Sequence, residues 1–462
     1  MAVDYDAVIL GGTVQGRGAA ALAAREGARV ALVEPLGSVE RRICCQLVLT
    51  ALASASPGAD WHGLKHQVNA LETVAYPHLS LDRLATGGVD VVLEPGQFSP
   101  QPRLAVTTLT RRLRARGYLL APGTQVTVPD IPGLAETSYL TLDTLLTLEA
   151  LPQTAIVLGR SGAAIALAQA LARLGTHTTL VSRGSVLLPT EDADLSAFIE
   201  VLLEASGVVL RLGSQIETIR QKDEVELLLS DGGAIAAQAI ILATAPHPLL
   251  ESLNLASVGI RPRTVHGTTT ALAVDDRLAT AHSRVFACGP AIGGYWAEST
   301  DHQDVAIALR NLLYLPWRRL SSLNRPALLP TAPEYARLGL GAAQARRWYG
   351  SEATVLQVPF GQLLKAHQGD DIMGFCRWVV RSDGQLVGAQ ICGPGASELI
   401  HTLALAMQQG IPIQQLERLP TLPHSLTAML PLLVSTWQQQ RWHPGTWRRD
   451  WAENWFNWRR SR

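Results

Sequence analysis

Two stretches of the chain repeat one order of segments: an apolar run, a glycine turn, an alanine-rich run and a second apolar run. In the first, Ala7–Leu10 is continuously apolar, GGTVQG at 11–16 is the turn, RGAAALAAREG at 17–27 has helical character, and ARVALVE at 28–34 is apolar again. Apolar runs without polar alternation suit strands buried on both faces, the habit of parallel sheets flanked by helices. The pattern therefore predicts a strand, a helix and a second strand packed as one unit. The same grammar returns in QTAIVL at 153–158, GRSGAA at 159–164, IALAQALARLG at 165–175 and HTTLVSR at 177–183.

The segment between the two units carries turn signals at Pro57–Gly58, Gly87–Gly88 and Pro122–Gly123, with an apolar strand candidate, YLLA, at 118–121. After residue 330 short strands and helices alternate, and CRWVVRSDGQLVGAQI at 376–391 reads as a hairpin around Ser382–Asp383–Gly384. The expected fold class is α/β: two Rossmann-like dinucleotide-binding domains plus a C-terminal α+β domain. The expected spans are 1–150 with 266–330 for the first domain, 151–265 for the second, 331–436 for the third and 437–462 for a tail.

With 462 residues the chain is too long for one core, which agrees with several domains. Lys plus Arg and Asp plus Glu each number 39, so no net field exists to concentrate nucleic acid, and none is expected as a partner. The five cysteines are odd in number and lack metal-ligand spacing; a reducing cytoplasm suits them, and no metal is expected. No signal peptide and no spanning helix are expected either, since the apolar stretches are broken by Arg, Glu or Gly.

A dinucleotide turn needs a first glycine for the tight bend, a second so that backbone can approach the pyrophosphate, and a third so that helix and strand pack closely. Gly11 and Gly16 fill the outer positions, with Gly12 beside the first and Thr13 in the middle one. Glu34 ends the second strand, where a carboxylate would bind a ribose hydroxyl. The Thr13 side chain stands where phosphate should approach, although its hydroxyl is also a possible donor to that phosphate. The bland alternative is a structural turn that binds nothing.

The second turn is weaker. Gly159 holds the first position, Ser161 and Ala164 the other two, and Ser182 stands where an acidic residue would hold a ribose, which disfavours NAD. Arg183 suits a 2′-phosphate, or is simply a solvated charge.

Together with LATAPHP at 242–248, VDDRLATAHSRVFACGP at 274–290 and GAQICGPGASELIHTLALAMQQG at 388–410, these units resemble the flavoprotein disulfide reductases, from about residue 4 to 435. The resemblance implies FAD in the first domain, NAD(P)H in the second, dimerisation through the third and dithiol chemistry. The matching dithiol stretch is GSVERRICCQLVL at 37–49: Cys45 stands at the flavin-facing cysteine, Glu40 at the exchanging cysteine and Leu49 at a lysine near the flavin. Cys44 is no substitute, because adjacent cysteines bridge only through a strained ring. The family's His-Pro-Thr and Glu pair falls on LPTLPHSL, with Leu419 for the histidine and His424 for the carboxylate.

Among the flavin anchors, Gly289–Pro290 replaces a Gly-Asp, and Ala121–Pro122–Gly123 and Ala243–Thr244–Ala245 replace Ala-Thr-Gly turns. Proline supplies neither a carboxylate nor an amide donor. The expectation is a reductase-like homodimer that does not reduce disulfides and acts by docking or regulation. The alternative is an FAD-dependent NAD(P)H oxidoreductase that passes electrons to a quinone or another small acceptor without a dithiol. A third possibility keeps Cys45 as a single thiol activated at a helix N-terminus.

In the tail, Trp447, Trp451, Trp455 and Trp458 fall on one helical stripe, flanked by Arg448, Arg449, Arg459 and Arg460. Such a stripe suits the chain's own dimer surface, a protein partner or a membrane surface. Asp450 and Glu453 interrupt the basic face and favour protein over lipid.

Overall fold

The computed structural model describes residues 3–35, 45–265, 269–293, 303–321, 323, 325–369, 372–422, 424–441 and 447–461. They form two compact units, Met1–Ser321 and Ser322–Arg462.

The first unit contains two five-stranded parallel sheets. In the first sheet the strand Tyr5–Leu10 is central, with Val30–Val33 and then Val89–Val92 on one side, and Ala115–Leu120 and then Val285–Ala287 on the other. In the second, Thr154–Leu158 is central, flanked by His177–Val181 and Val209–Arg211 on one side and by Ala239–Leu242 and Tyr139–Thr141 on the other. The central strands are buried throughout Ala7–Leu10 and Ala155–Leu158, as their unbroken apolar runs required. Each leads through its glycine turn into an alanine-rich helix, Val14–Arg25 or Gly162–Arg173. Ala19, Ala20 and Ala23 form the buried stripe of the first helix, and their small side chains let it lie close to the sheet. Such crevices at the carboxyl ends of the strands are where open α/β sheets bind ligands.

The chain reaches the second sheet sooner than the boundary at 150 implied. Tyr139–Thr141 pairs in parallel with Ala239–Leu242, so it is the edge of the second sheet. Thr124–Val126 pairs antiparallel with Pro246–Pro248 just before it, and this ribbon carries the chain across. Pairing partners this distant in sequence cannot be read from local pattern.

The second unit is built on an antiparallel sheet ordered Ala327–Leu329, Tyr335–Gly339, Leu386–Cys392, Phe375–Arg381 and Ala353–Pro359. The expected hairpin is present: Phe375–Arg381 pairs with Leu386–Cys392 around Gly384, whose φ of +91° requires glycine. Helices Ala396–Gln408 and Met429–Arg441 supply Leu399, Leu403, Leu430 and Leu433 to a core built on Trp378, which is wholly buried. Among the described residues no helix is long and apolar enough to cross a membrane.

Candidate functional site

In the first turn, Gly11 adopts φ +118°, and a Cβ there would lie 2.0 Å from the Ala121 carbonyl oxygen. A Cβ on Gly16 would lie 1.9 Å from the Gly11 oxygen. Both outer glycines therefore meet the demands that define the motif. Thr13, the N-cap of the helix, is buried; its hydroxyl accepts from the Gly16 amide at 3.0 Å and donates to the Ala121 oxygen at 3.0 Å. The proton that was open to a phosphate is thus given to a strand-end carbonyl, because an N-cap hydroxyl turns its lone pair to the helix amides.

Glu34 ends the second strand and is fully buried. Its carboxylate is packed so tightly on the turn that a Cβ on Gly12 would fall 1.7 Å from Oε2. Arg17 forks onto it, Nη2 to Oε1 at 2.9 Å and Nε to Oε2 at 3.2 Å, while Nη1 donates to the Leu79 oxygen at 3.2 Å. Arg17 escaped the sequence reading, although an arginine one residue past the third glycine was the available signal.

On the other side of the turn, Gly289 has φ +64°, and its amide donates to Asp304 Oδ2 at 2.8 Å. Asp304 is nearly inaccessible and is a second carboxylate that pattern alone did not find. Cys288 beside it is buried, and burial first, with the Asp304 charge second, pushes its thiol well up. Pro290 opens the short helical turn Gly289–Ile292, and Gln15 lies 3.4 Å from where a Gly289 side chain would begin. The carbonyl of Gly123 accepts from the Leu249 amide at 2.8 Å, so this turn is tied to the ribbon between the sheets.

The second turn is a near copy of the first. Gly159 has φ +148°, and a Cβ there would meet the Ala243 oxygen at 2.4 Å. Ser161 caps the helix, accepting from the Ala164 amide at 3.1 Å and donating to the Ala243 oxygen at 2.8 Å. The Ser182 hydroxyl accepts from the Gly184 amide at 3.1 Å, and Arg183 is exposed at the strand end.

The positions expected to carry redox chemistry fall in both units, Leu49 in the first and Leu419 and His424 in the second. Cys45 begins the helix Cys45–Ser54, but its side chain, with Cys44 and Glu40, lies outside the described residues. Leu49 on that helix is buried. Leu419 is 43% exposed, and His424 is exposed in the left-handed region at φ +62°. Cys376 and Cys392 are buried, like Cys288.

The tail forms the helix Trp447–Arg460. Trp451 stacks on Trp455 with ring centroids 5.9 Å apart and planes 9° apart, and Trp455 lies 5.1 Å from Trp458. All three are exposed, as is Phe456. The side chain of Trp447 lies outside the described residues.

Two parallel sheets with glycine turns at their carboxyl ends, followed by an antiparallel domain, define a two-dinucleotide-domain oxidoreductase fold. The family model described as pyridine nucleotide-disulphide oxidoreductase matches residues 5–308, and its dimerisation domain matches 325–425. The chain belongs to this family. It is 27% identical over 438 residues to a mercuric reductase of Staphylococcus aureus, covering 89% of this chain and 79% of that protein. It is 26% identical to the probable pyridine nucleotide-disulfide oxidoreductase RclA of Escherichia coli, covering 93% of this chain and 99% of the relative. The solved structure of RclA, an HOCl-induced flavoprotein disulfide reductase, superposes with a TM-score of 0.81 at 23% identity over 93% of this chain and 99% of that one.

The backbone of the first turn fits a dinucleotide pyrophosphate, since Gly11 and Gly16 keep the bend and the close packing. Its polar anchors are already engaged within the chain, the Gly16 amide by Thr13 and Glu34 by Arg17.

Proposed function

We propose that this member of the family is a homodimer that has given up disulfide reduction and acts by docking or regulation in the cytoplasm, with an FAD site kept in its first domain. The observation that carries the reading is Glu40 standing where Cys45 would need a second cysteine, because a carboxylate cannot form or exchange a disulfide. Leu49 and Leu419 agree with it, since neither apolar side chain supplies a charge or a proton. Gly11, Gly12, Thr13, Gly16 and Glu34 would hold the adenosine side of FAD, with Gly123 and Gly289 lining the remainder of the site. Bound FAD supplies the capacity to accept and donate two electrons. Pro290 offers the flavin side neither a carboxylate nor an amide, and the Asp304 carboxylate accepts from the neighbouring Gly289 amide.

The dimerisation domain supports the homodimer, and the exposed indoles of Trp451, Trp455 and Trp458 support docking of a protein partner on the tail. Asp450 and Glu453 on the same helix weigh against an anionic lipid surface. The reading is tested by assaying the purified protein, with its flavin content measured after denaturation, for NAD(P)H-dependent reduction of lipoamide, glutathione and mercuric ion. Turnover of any of the three would end it.

A second reading, an FAD-dependent NAD(P)H oxidoreductase serving a quinone or another small acceptor, is favoured by the second turn. There Gly159 keeps the bend, and Arg183 is exposed at the strand end with its charge open to a 2′-phosphate. Diaphorase activity that falls on Arg183→Ala with NADPH but not with NADH would support this alternative.

A further inference from the structure

The two glycine turns share one device and differ in another. Thr13 and Ser161 each cap a helix and donate to the carbonyl just past the end of the neighbouring strand, Ala121 or Ala243. The shared cap therefore cannot distinguish the two sites. Among the described residues the second turn shows no counterpart of the Glu34–Arg17 pair: Ser182 follows its strand, and its hydroxyl accepts from a local amide, that of Gly184. In the first turn each Glu34 oxygen takes an N–H of one guanidinium, and the third nitrogen of that guanidinium is fastened to Leu79.

We infer that Arg17 sets the affinity of the first dinucleotide site by holding the carboxylate that a ribose diol would otherwise engage. The inference rests on the reading of the first turn as an FAD site. Glu34 is fully buried and wedged against Gly12, and both its oxygens accept from Arg17, so the paired carboxylate exposes no surface to a ribose. A diol brings neutral donors, and these are weaker partners for a carboxylate than a bidentate guanidinium. The cofactor gains Glu34 only when Arg17 withdraws, and the Arg17 side chain, 13% exposed, reaches the surface. Apparent affinity is then the intrinsic affinity scaled by the fraction of molecules with Arg17 withdrawn. A paired state favoured about 10- to 100-fold weakens binding by about that factor.

The test is to titrate FAD into the full-length, flavin-stripped chain and follow the change in flavin fluorescence. Arg17→Met keeps the apolar stem and removes the fork, and binding should tighten about 10- to 100-fold. Arg17→Lys keeps the charge but loses the bidentate geometry, so a smaller gain is expected. This variant leaves Glu34 a cationic neighbour and serves if the methionine variant does not fold. Adding Glu34→Gln to Arg17→Met should reverse the gain, because the diol then loses its charged acceptor. Unchanged or weaker binding in a folded Arg17 variant would overturn the inference and leave the FAD site standing. Failure of the wild type and of every variant to bind FAD would overturn the reading of the site, and the inference with it.

Discussion

Removing the hydroxyl of Ser161 isolates what a cap contributes to a dinucleotide turn, and the structure sets the size of the effect. The hydroxyl makes two bonds at once, accepting from the Ala164 amide at 3.1 Å and donating to the Ala243 carbonyl at 2.8 Å. Losing the cap costs about 1 kcal/mol, within a range of roughly 0.5–2. Leaving the carbonyl of nearly buried Ala243 without this donor adds about 1 kcal/mol or more. The two losses share one atom and do not simply add, so Ser161→Ala should destabilise the second sheet by about 1–2 kcal/mol. Ser161→Thr should cost little, because Thr13 makes the same pair of bonds in the first turn. Since a chain of two units does not unfold in one step, hydrogen exchange is the suitable assay. The Ala164 amide should exchange faster in Ser161→Ala, together with the first turn of the helix Gly162–Arg173. Equal protection of Ala164 in wild type and alanine variant would refute the reasoning.

Other outcomes follow from burial and pairing. Thiol titration of the folded protein at mildly alkaline pH should leave Cys288, Cys376 and Cys392 silent, because burial raises all three and pushes Cys392 up to about 12. Only Cys44 and Cys45 then remain to react, and unfolding should release the other thiols; a third fast equivalent in the folded state would contradict this. Asp90 is held below the usual carboxylate range by the hydrogen bond from Arg111 first, and then by that from Tyr5. A lowered carboxyl contributes stability above the unfolded value of 3.8 and loses it as pH falls through the lower folded value. Asp90→Asn should therefore flatten the acid limb of the stability curve below that pH, by under about 1 kcal/mol since the pair is partly solvated. An unchanged acid limb would show that the Arg111 pairing carries no net stability.

Much of the architecture was legible because strand and helix grammar is local. Ala7–Leu10 and Ala155–Leu158 were apolar without alternation, and both became central strands. The hairpin around Gly384 and the tail helix were equally legible, one from turn chemistry and the other from the spacing of its tryptophans. The strand at Tyr139–Thr141 was not, because its partner Ala239–Leu242 lies far along the chain and its three residues carry no period of their own.

At the site the division is sharper. The sequence by itself determined where both glycine turns fall, that Thr13 and Ser161 stand in the middle position, and that Glu34 falls at its strand end. Only the tertiary structure decided what these groups do. Thr13 gives its proton to Ala121, Glu34 gives both oxygens to Arg17, and Gly289 turns its amide to Asp304. Each is a competition among partners brought together by the parallel sheet, and a hydrogen bond goes to the donor or acceptor that folding places within bonding distance, wherever it lies in the sequence.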